Sequence, residues 1–154
     1  MRGLFLSIWL PAVFVTCTNY STTPSVQAPP TLVSIENKGN SNFIIKVRAQ
    51  NPELIFRGYR LHTGITEQES RNPIDVNIGT DCVLAPTAVV QPTEYLFEAD
   101  PSEAANSAGV VCRFRTTLTP GQFLSIRTLG LAINLQNSTS TLSVSPPSNS
   151  LLIP

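Results

Sequence analysis

Charge is scarce in this chain: Asp, Glu, Lys and Arg make up 13% of its 154 residues and cancel, ten against ten. That is about half the usual charged share of a soluble protein, and no bulk electrostatic pull toward nucleic acid follows from it. There is one histidine, His62, and no serine sits in a Gly-x-Ser-x-Gly elbow, so a hydrolase triad finds little support. Cys-x-x-Cys pairs, histidine clusters and Gly-rich phosphate loops are also missing, which removes the common zinc and nucleotide signatures. No apolar run reaches the roughly 20 residues that a transmembrane helix needs. These absences lead us to expect a non-catalytic protein with no cofactor and no metal, and to expect no nucleic acid among its partners. His62 is expected at a strand end on the surface.

What is present begins with a leader. Residues 1–16, MRGLFLSIWLPAVFVT, put one cation, Arg2, ahead of an apolar run from Leu4 to Val15, which is the length and grammar of a signal peptide. Pro11 interrupts the run, a further argument against a membrane span. Phe14, Val15, Thr16 and Cys17 follow the order of an aliphatic or apolar residue, two small residues and a cysteine. That segment resembles a lipobox, in the relaxed form found in spirochaete lipoproteins, although Phe14 and Thr16 depart from the usual Leu and Gly or Ala. The resemblance implies cleavage before Cys17, lipid on Cys17 and an exported, membrane-anchored protein of the cell envelope, with the outer membrane the expected address. Cleavage would remove Arg2 and leave nine positive against ten negative side chains. The alternative is an ordinary cleaved leader in which Cys17 is incidental.

Cysteine arithmetic bears on the same point. With Cys17 lipidated, Cys82 and Cys112 remain as an even pair in an oxidising compartment, where a disulfide forms and persists. Two buried reduced cysteines are the alternative.

Past Cys17 the segment 18–30, TNYSTTPSVQAPP, has three prolines and no apolar period, so residues 17–30 are expected to be lipid anchor and extended tether. Alternation predicts strands at 31–36, 42–49, 55–62, 73–78, 80–85, 94–99, 110–118, 122–135 and 141–145. One helical turn is expected around 101–109, where Ser102 could cap it. Regular short strands divided by turn residues favour an all-β sandwich over 31–145. The proline-rich 146–154 is a C-terminal tail, either loose or a last edge strand.

Three segments carry a family resemblance that covers about Ala28 to Pro147. PPTLVSIEN at 29–37 resembles the opening strand of a fibronectin type III domain, IFRGYRLHTG at 55–64 its third strand, and LTPGQFLSIRTLG at 118–130 its Leu-x-Pro-Gly corner and sixth strand. The chain departs from that family in having no Trp in the second strand and Leu124 where a corner tyrosine belongs. The middle, Gly64 to Val110, is also longer than the family usually needs. The resemblance implies an all-β, immunoglobulin- or fibronectin type III-like antiparallel β-sandwich with an elaborated middle segment; a generic immunoglobulin-like sandwich is the alternative. A disulfide from Cys82 to Cys112 would pin that segment to a core strand.

Two constellations remain. Asp75, Asn77 and Asp81 in DVNIGTD could supply oxygen ligands to a cation, but Asp and Asn more often satisfy backbone groups in turns, which is the reading we favour. Alternation sends Lys46, Arg48, Arg113 and Arg115 to one outer face if Phe43, Ile45, Val47, Cys112 and Phe114 face the core. In a fibronectin type III arrangement those strands are neighbours, so the four would form a basic face for sulfated glycans, acidic lipid head groups or an acidic protein, with Glu36 nearby; a solvated face with scattered ion pairs is the alternative. Asn19 and Asn137 begin Asn-x-Ser/Thr acceptors, relevant only to a eukaryotic secretory protein. The expected function is a lipid-anchored envelope or surface protein presenting a β-sandwich binding module to a protein or glycan partner. A structural or assembly subunit of an envelope complex is the alternative.

Overall fold

A computed structural model describes residues 26, 28–52, 54–84, 89–103, 105–134 and 138–154. The leader, Cys17, Asn19, Asn137 and most of the expected tether lie outside the described residues. The described chain is an all-β sandwich. One sheet has the order β1-β2-β5-β6, from β1 (Thr31–Gly39), β2 (Asn42–Asn51), β5 (Val89–Ala99) and β6 (Val110–Phe114). The other has β4 (Thr80–Val83), β3 (Phe56–Gly64), β7 (Phe123–Asn134) and β8 (Thr139–Val144) in the order β4-β3-β7-β8, and the short β9 (Leu151–Leu152) also pairs with β7. The pairing is antiparallel except between β5 and β6, which run parallel. This is compatible with the immunoglobulin- or fibronectin type III-like sandwich expected.

Alternation builds the core as the sequence suggested. Phe43, Ile45, Val47 and Ala49 of β2, Phe97 and Ala99 of β5, and Cys112 and Phe114 of β6 are buried against Tyr59 and Leu61 of β3 and Leu124 and Ile126 of β7. Aromatic rings bridge the layers: Tyr59 and Phe97, from opposite sheets, lie 4.8 Å apart between centroids. The Tyr59 hydroxyl donates to Asn51 Oδ1 at 2.9 Å, so its polar tip is satisfied inside the core.

Both lateral sides of the sandwich are laced. Cys82 in β4 and Cys112 in β6, on edge strands of opposite sheets, form a disulfide with a Cα–Cα distance of 5.8 Å. On the other side, the Asn149 amide accepts from Leu32 N and donates to Leu32 O, at 2.8 and 3.0 Å, tying β1 to the segment leading into β9. Gly58 makes the first closure sterically feasible. It has a φ of +149°, and a Cβ there would fall 2.0 Å from the Cys82 carbonyl oxygen, so only glycine lets β4 come this close.

Several expectations are corrected. Residues 73–78 form turns, not a strand, because Asp75 Oδ1 accepts from Asn77 N and closes a local turn. No helix forms in the described part of 101–109. The helix is α1 (Glu67–Arg71), started by a capping box in which Thr66 accepts from Glu69 N and the Glu69 carboxylate accepts from Thr66 N. The Thr66-x-x-Glu69 signal was legible in the sequence. Packed structure also runs past both expected limits of the sandwich: Val26 is buried against Gly130, inside the stretch read as tether, and Ile153 is 1% exposed in the core.

Because the tail is core and not appendage, Ile153→Ala should lower unfolding free energy by about 2–4 kcal/mol, the usual cost of an aliphatic cavity. Urea denaturation measures it, and a change under half a kcal/mol would mean the tail is loose.

Candidate functional site

The four cations of the expected basic face sit on outward positions, but they do not form one basic surface. β2 and β6 are not neighbours, since β5 lies between them, and β5 brings carboxylates. Lys46 pairs with Glu94 at 2.8 Å, and Arg48 stands opposite the same Glu94 in the ladder. The ammonium of Lys46, and more weakly Arg48, hold the Glu94 carboxyl below its ordinary range. Arg115 pairs with Glu103. Glu36, expected to relieve the patch, instead pairs with Lys38 at 2.7 Å and is held below its usual carboxylate range by it. The result is a face of interleaved opposite charges.

Arg113 belongs to a different kind of arrangement. A parallel β5–β6 pair needs a crossover, and Asp100, Ser102 and Ser107 of the connection lie over the outer face of the sheet. Glu98 points to that face, since Phe97 and Ala99 on either side point into the core, yet it is fully buried. Its carboxylate accepts from Ser107 Oγ at 2.5 Å and Asn42 Nδ2 at 2.7 Å, and lies 3.2 Å from Arg113 Nε. Arg113 Nη2 reaches Asp100 at 2.7 Å, and Asp100 also accepts from Ser102 N at 2.7 Å. Burial pushes the Glu98 carboxyl up, but the bonds from Ser107 and Asn42 and the Arg113 charge outweigh it and hold it below its ordinary value. Asp100 is lowered mainly by Ser102, then by Asn42 and Arg113. Both carboxylates are tied to groups on β2, β6 and the crossover itself, so the network clamps the crossover to the sheet.

The Asp75, Asn77 and Asp81 group is structural as well. Asp81 makes a two-pronged pair with Arg60, 2.5 Å to Nε and 2.7 Å to Nη2, and Asp75 serves its own turn. Among the described residues no three His, Cys, Asp or Glu side chains are placed to hold a metal ion.

His62 is the residue whose setting departs furthest from expectation. It is 4% exposed, because α1 and the loop after it cover the outer face of the β3–β7 pair. Burial lowers its pKa to about 4, with the Arg127 and Arg60 charges adding to the effect and the Ile78 backbone and Asp81 opposing it. Arg60, His62, Ser125 and Arg127 alternate with the core residues Tyr59, Leu61, Leu124 and Ile126; that something would cover them carried no sequence signal beyond the capping box.

Arg113→Met should cost about 3–5 kcal/mol at neutral pH, because it leaves the buried Glu98 without its charge partner. Glu98 has a lowered pKa in the fold, so its contribution is present above 4.5, its ordinary value, and is lost as pH falls. The gap between variant and wild type should therefore narrow in acid, which denaturation curves at several pH values will read. For the interleaved face, wild type and a Lys46→Ser, Arg48→Ser, Arg115→Ser variant should elute from heparin at the same salt concentration; a clearly later wild-type elution would restore the basic-face reading.

Compared with protein-family models, with characterised proteins and with solved structures, the chain matches none of them.

Proposed function

We propose that this chain is an exported, non-catalytic lipoprotein of the cell envelope, held to the membrane by lipid on Cys17 and presenting its sandwich as a binding module for a protein or glycan partner. The observation that carries the reading is the Cys82–Cys112 disulfide. It belongs to an oxidising compartment, and it uses two of the three cysteines, leaving Cys17 alone directly behind a leader of signal-peptide grammar.

The strand order supports the finer likeness to immunoglobulin and fibronectin type III domains. In such sandwiches the first, second and fifth strands of the standard set share one sheet, and the third, sixth and seventh share the other. Here β1-β2-β5 face β3-β7-β8, with β4 added beside β3. β6 takes the place next to β5 where the fourth standard strand would lie, but it follows β5 in sequence and runs parallel to it. On this architecture binding is the work of loops and edges.

The edge strand β8 favours a second reading, an assembly subunit of an envelope complex. Its Thr139, Ser140, Thr141 and Leu142 are exposed and uncharged, the kind of edge to which another strand can add.

Metabolic labelling with a palmitate analogue should tag the wild type and not Cys17→Ser. Proteinase K on intact cells then separates the readings: digestion supports surface presentation, and protection supports the assembly subunit. Unlabelled wild type would overturn the lipid anchor.

A further inference from the structure

The outer face of the β3–β7 pair carries a buried polar layer. Arg60 and His62 of β3 stand beside Arg127 and Ser125 of β7 in the ladder. Their exposures are 6%, 4%, 7% and 0% in that order, because segment 65–79 lies over them. That cover is attached almost wholly by hydrogen bonds. Ser125 Oγ donates to Ser70 O, Arg127 Nη2 donates to Arg71 O, and Arg60 Nη1 donates to Val76 O at 3.1 Å. Ser70 Oγ meets Ser150 Oγ at 2.8 Å. Ser70 is the one buried residue of α1, while Ile65, Ile74 and Ile78 face solvent. A segment with so little apolar burial opens locally at low cost compared with the core.

The layer is poorly matched in charge. Asp81 is committed to Arg60, and Arg127 is held by the carbonyls of Arg71 and Ser145, with Nε left without a partner. His62 Nε2 is buried with no hydrogen-bond partner. The other charged groups around the layer are occupied or repulsive: Glu69 accepts from Ile65 N and Thr66 N in the capping box, Asp75 accepts from Asn77 N, and Arg71 adds a further cation whose charge reaches Arg127. A proton on His62 would place a third positive charge in a layer whose only committed carboxylate is Asp81, with no acceptor at Nε2 and only the Ile78 backbone bond and the Asp81 charge favouring the charged ring.

We propose that segment 65–79 is an acid-released cover: protonation of His62 lifts it from the β3–β7 face while the sandwich core stays folded, uncovering Arg60, His62 and Arg127 as a cationic strip. The driving force is differential proton affinity. His62 titrates at about 4 when covered against 6.5 when free, so acidification can raise the ratio of open to closed molecules by up to about 300-fold.

The test is a pH titration of the full chain in detergent by nitrogen-15 NMR. It follows the His62 ring together with the backbone amides of Ser70, Asn72 and Ile78, which donate within the cover, and those of Ile45 and Val47 in the core. The expected result is that the cover amides lose exchange protection, corrected for intrinsic rate, at the midpoint of His62 titration while Ile45 and Val47 keep theirs. His62→Gln, which cannot charge, should keep the cover shut at that pH. The proposal is overturned if His62 titrates with the cover amides unchanged, if the core opens with them, or if His62→Gln opens at the same pH, which would assign the effect to Asp81, Asp75 or Glu69. Should that variant not fold, coincidence or separation of the wild-type midpoints decides.

Discussion

The covalent closure between β4 and β6 is the constraint on which the rest of this sandwich depends. Each of these strands is a short edge, four and five residues long. Joining Cys82 to Cys112 across the two sheets closes a loop of 30 residues and stabilises by about 3–4 kcal/mol on the chain-entropy model. It also fixes where β6 must lie. Because β6 then runs parallel to β5, the chain has to cross the outside of the sheet, and that crossing buries the carboxylate of Glu98.

Two segments thus cover the outer faces, and different chemistry holds each. The crossover sits on a charge network in which Glu98, Asp100 and Arg113 share partners with Asn42, Ser102 and Ser107. Removing one member of such a buried network leaves the others to bear the cost of desolvation. The cover on the opposite face has no comparable network. Backbone carbonyls of Ser70, Arg71 and Val76 receive its bonds, and an imidazole with an unmatched nitrogen lies beneath it. One cover is therefore held by a buried ionic network, and the other chiefly by hydrogen bonds to backbone carbonyls.

Much of the fold was legible because a pleated strand shows its two faces in its letters. The alternation of Phe43, Ile45 and Val47, or of Tyr59 and Leu61, marks the core side directly. The run PIDVNI alternates too, yet Asp75 diverts it into a turn, since a side chain that satisfies a nearby backbone N–H competes with the ladder. SPPSNSLLIP reads as a loose end or a last strand because prolines punctuate it; Leu151 and Leu152 do pair with β7, and Ile153 fills a space that only the assembled sheets create. Thr66 and Glu69 announce the start of α1, but its five residues offer no apolar period to support the capping signal.

By itself the sequence determined the class, the core-facing residues of most strands, Cys82 and Cys112 as the candidate disulfide pair, and the outward direction of Lys46, Arg48, Arg113 and Arg115. These follow from local rules: periodicity, turn chemistry and the parity of cysteines. The tertiary structure alone decided that β5 separates the cations of β2 from those of β6, that β6 runs parallel, and that outward-facing His62 and Glu98 are buried. The physical reason is that strand neighbours and face coverage depend on contacts between residues distant in the chain, and alternation tells a residue which way to point without telling it what will be waiting there.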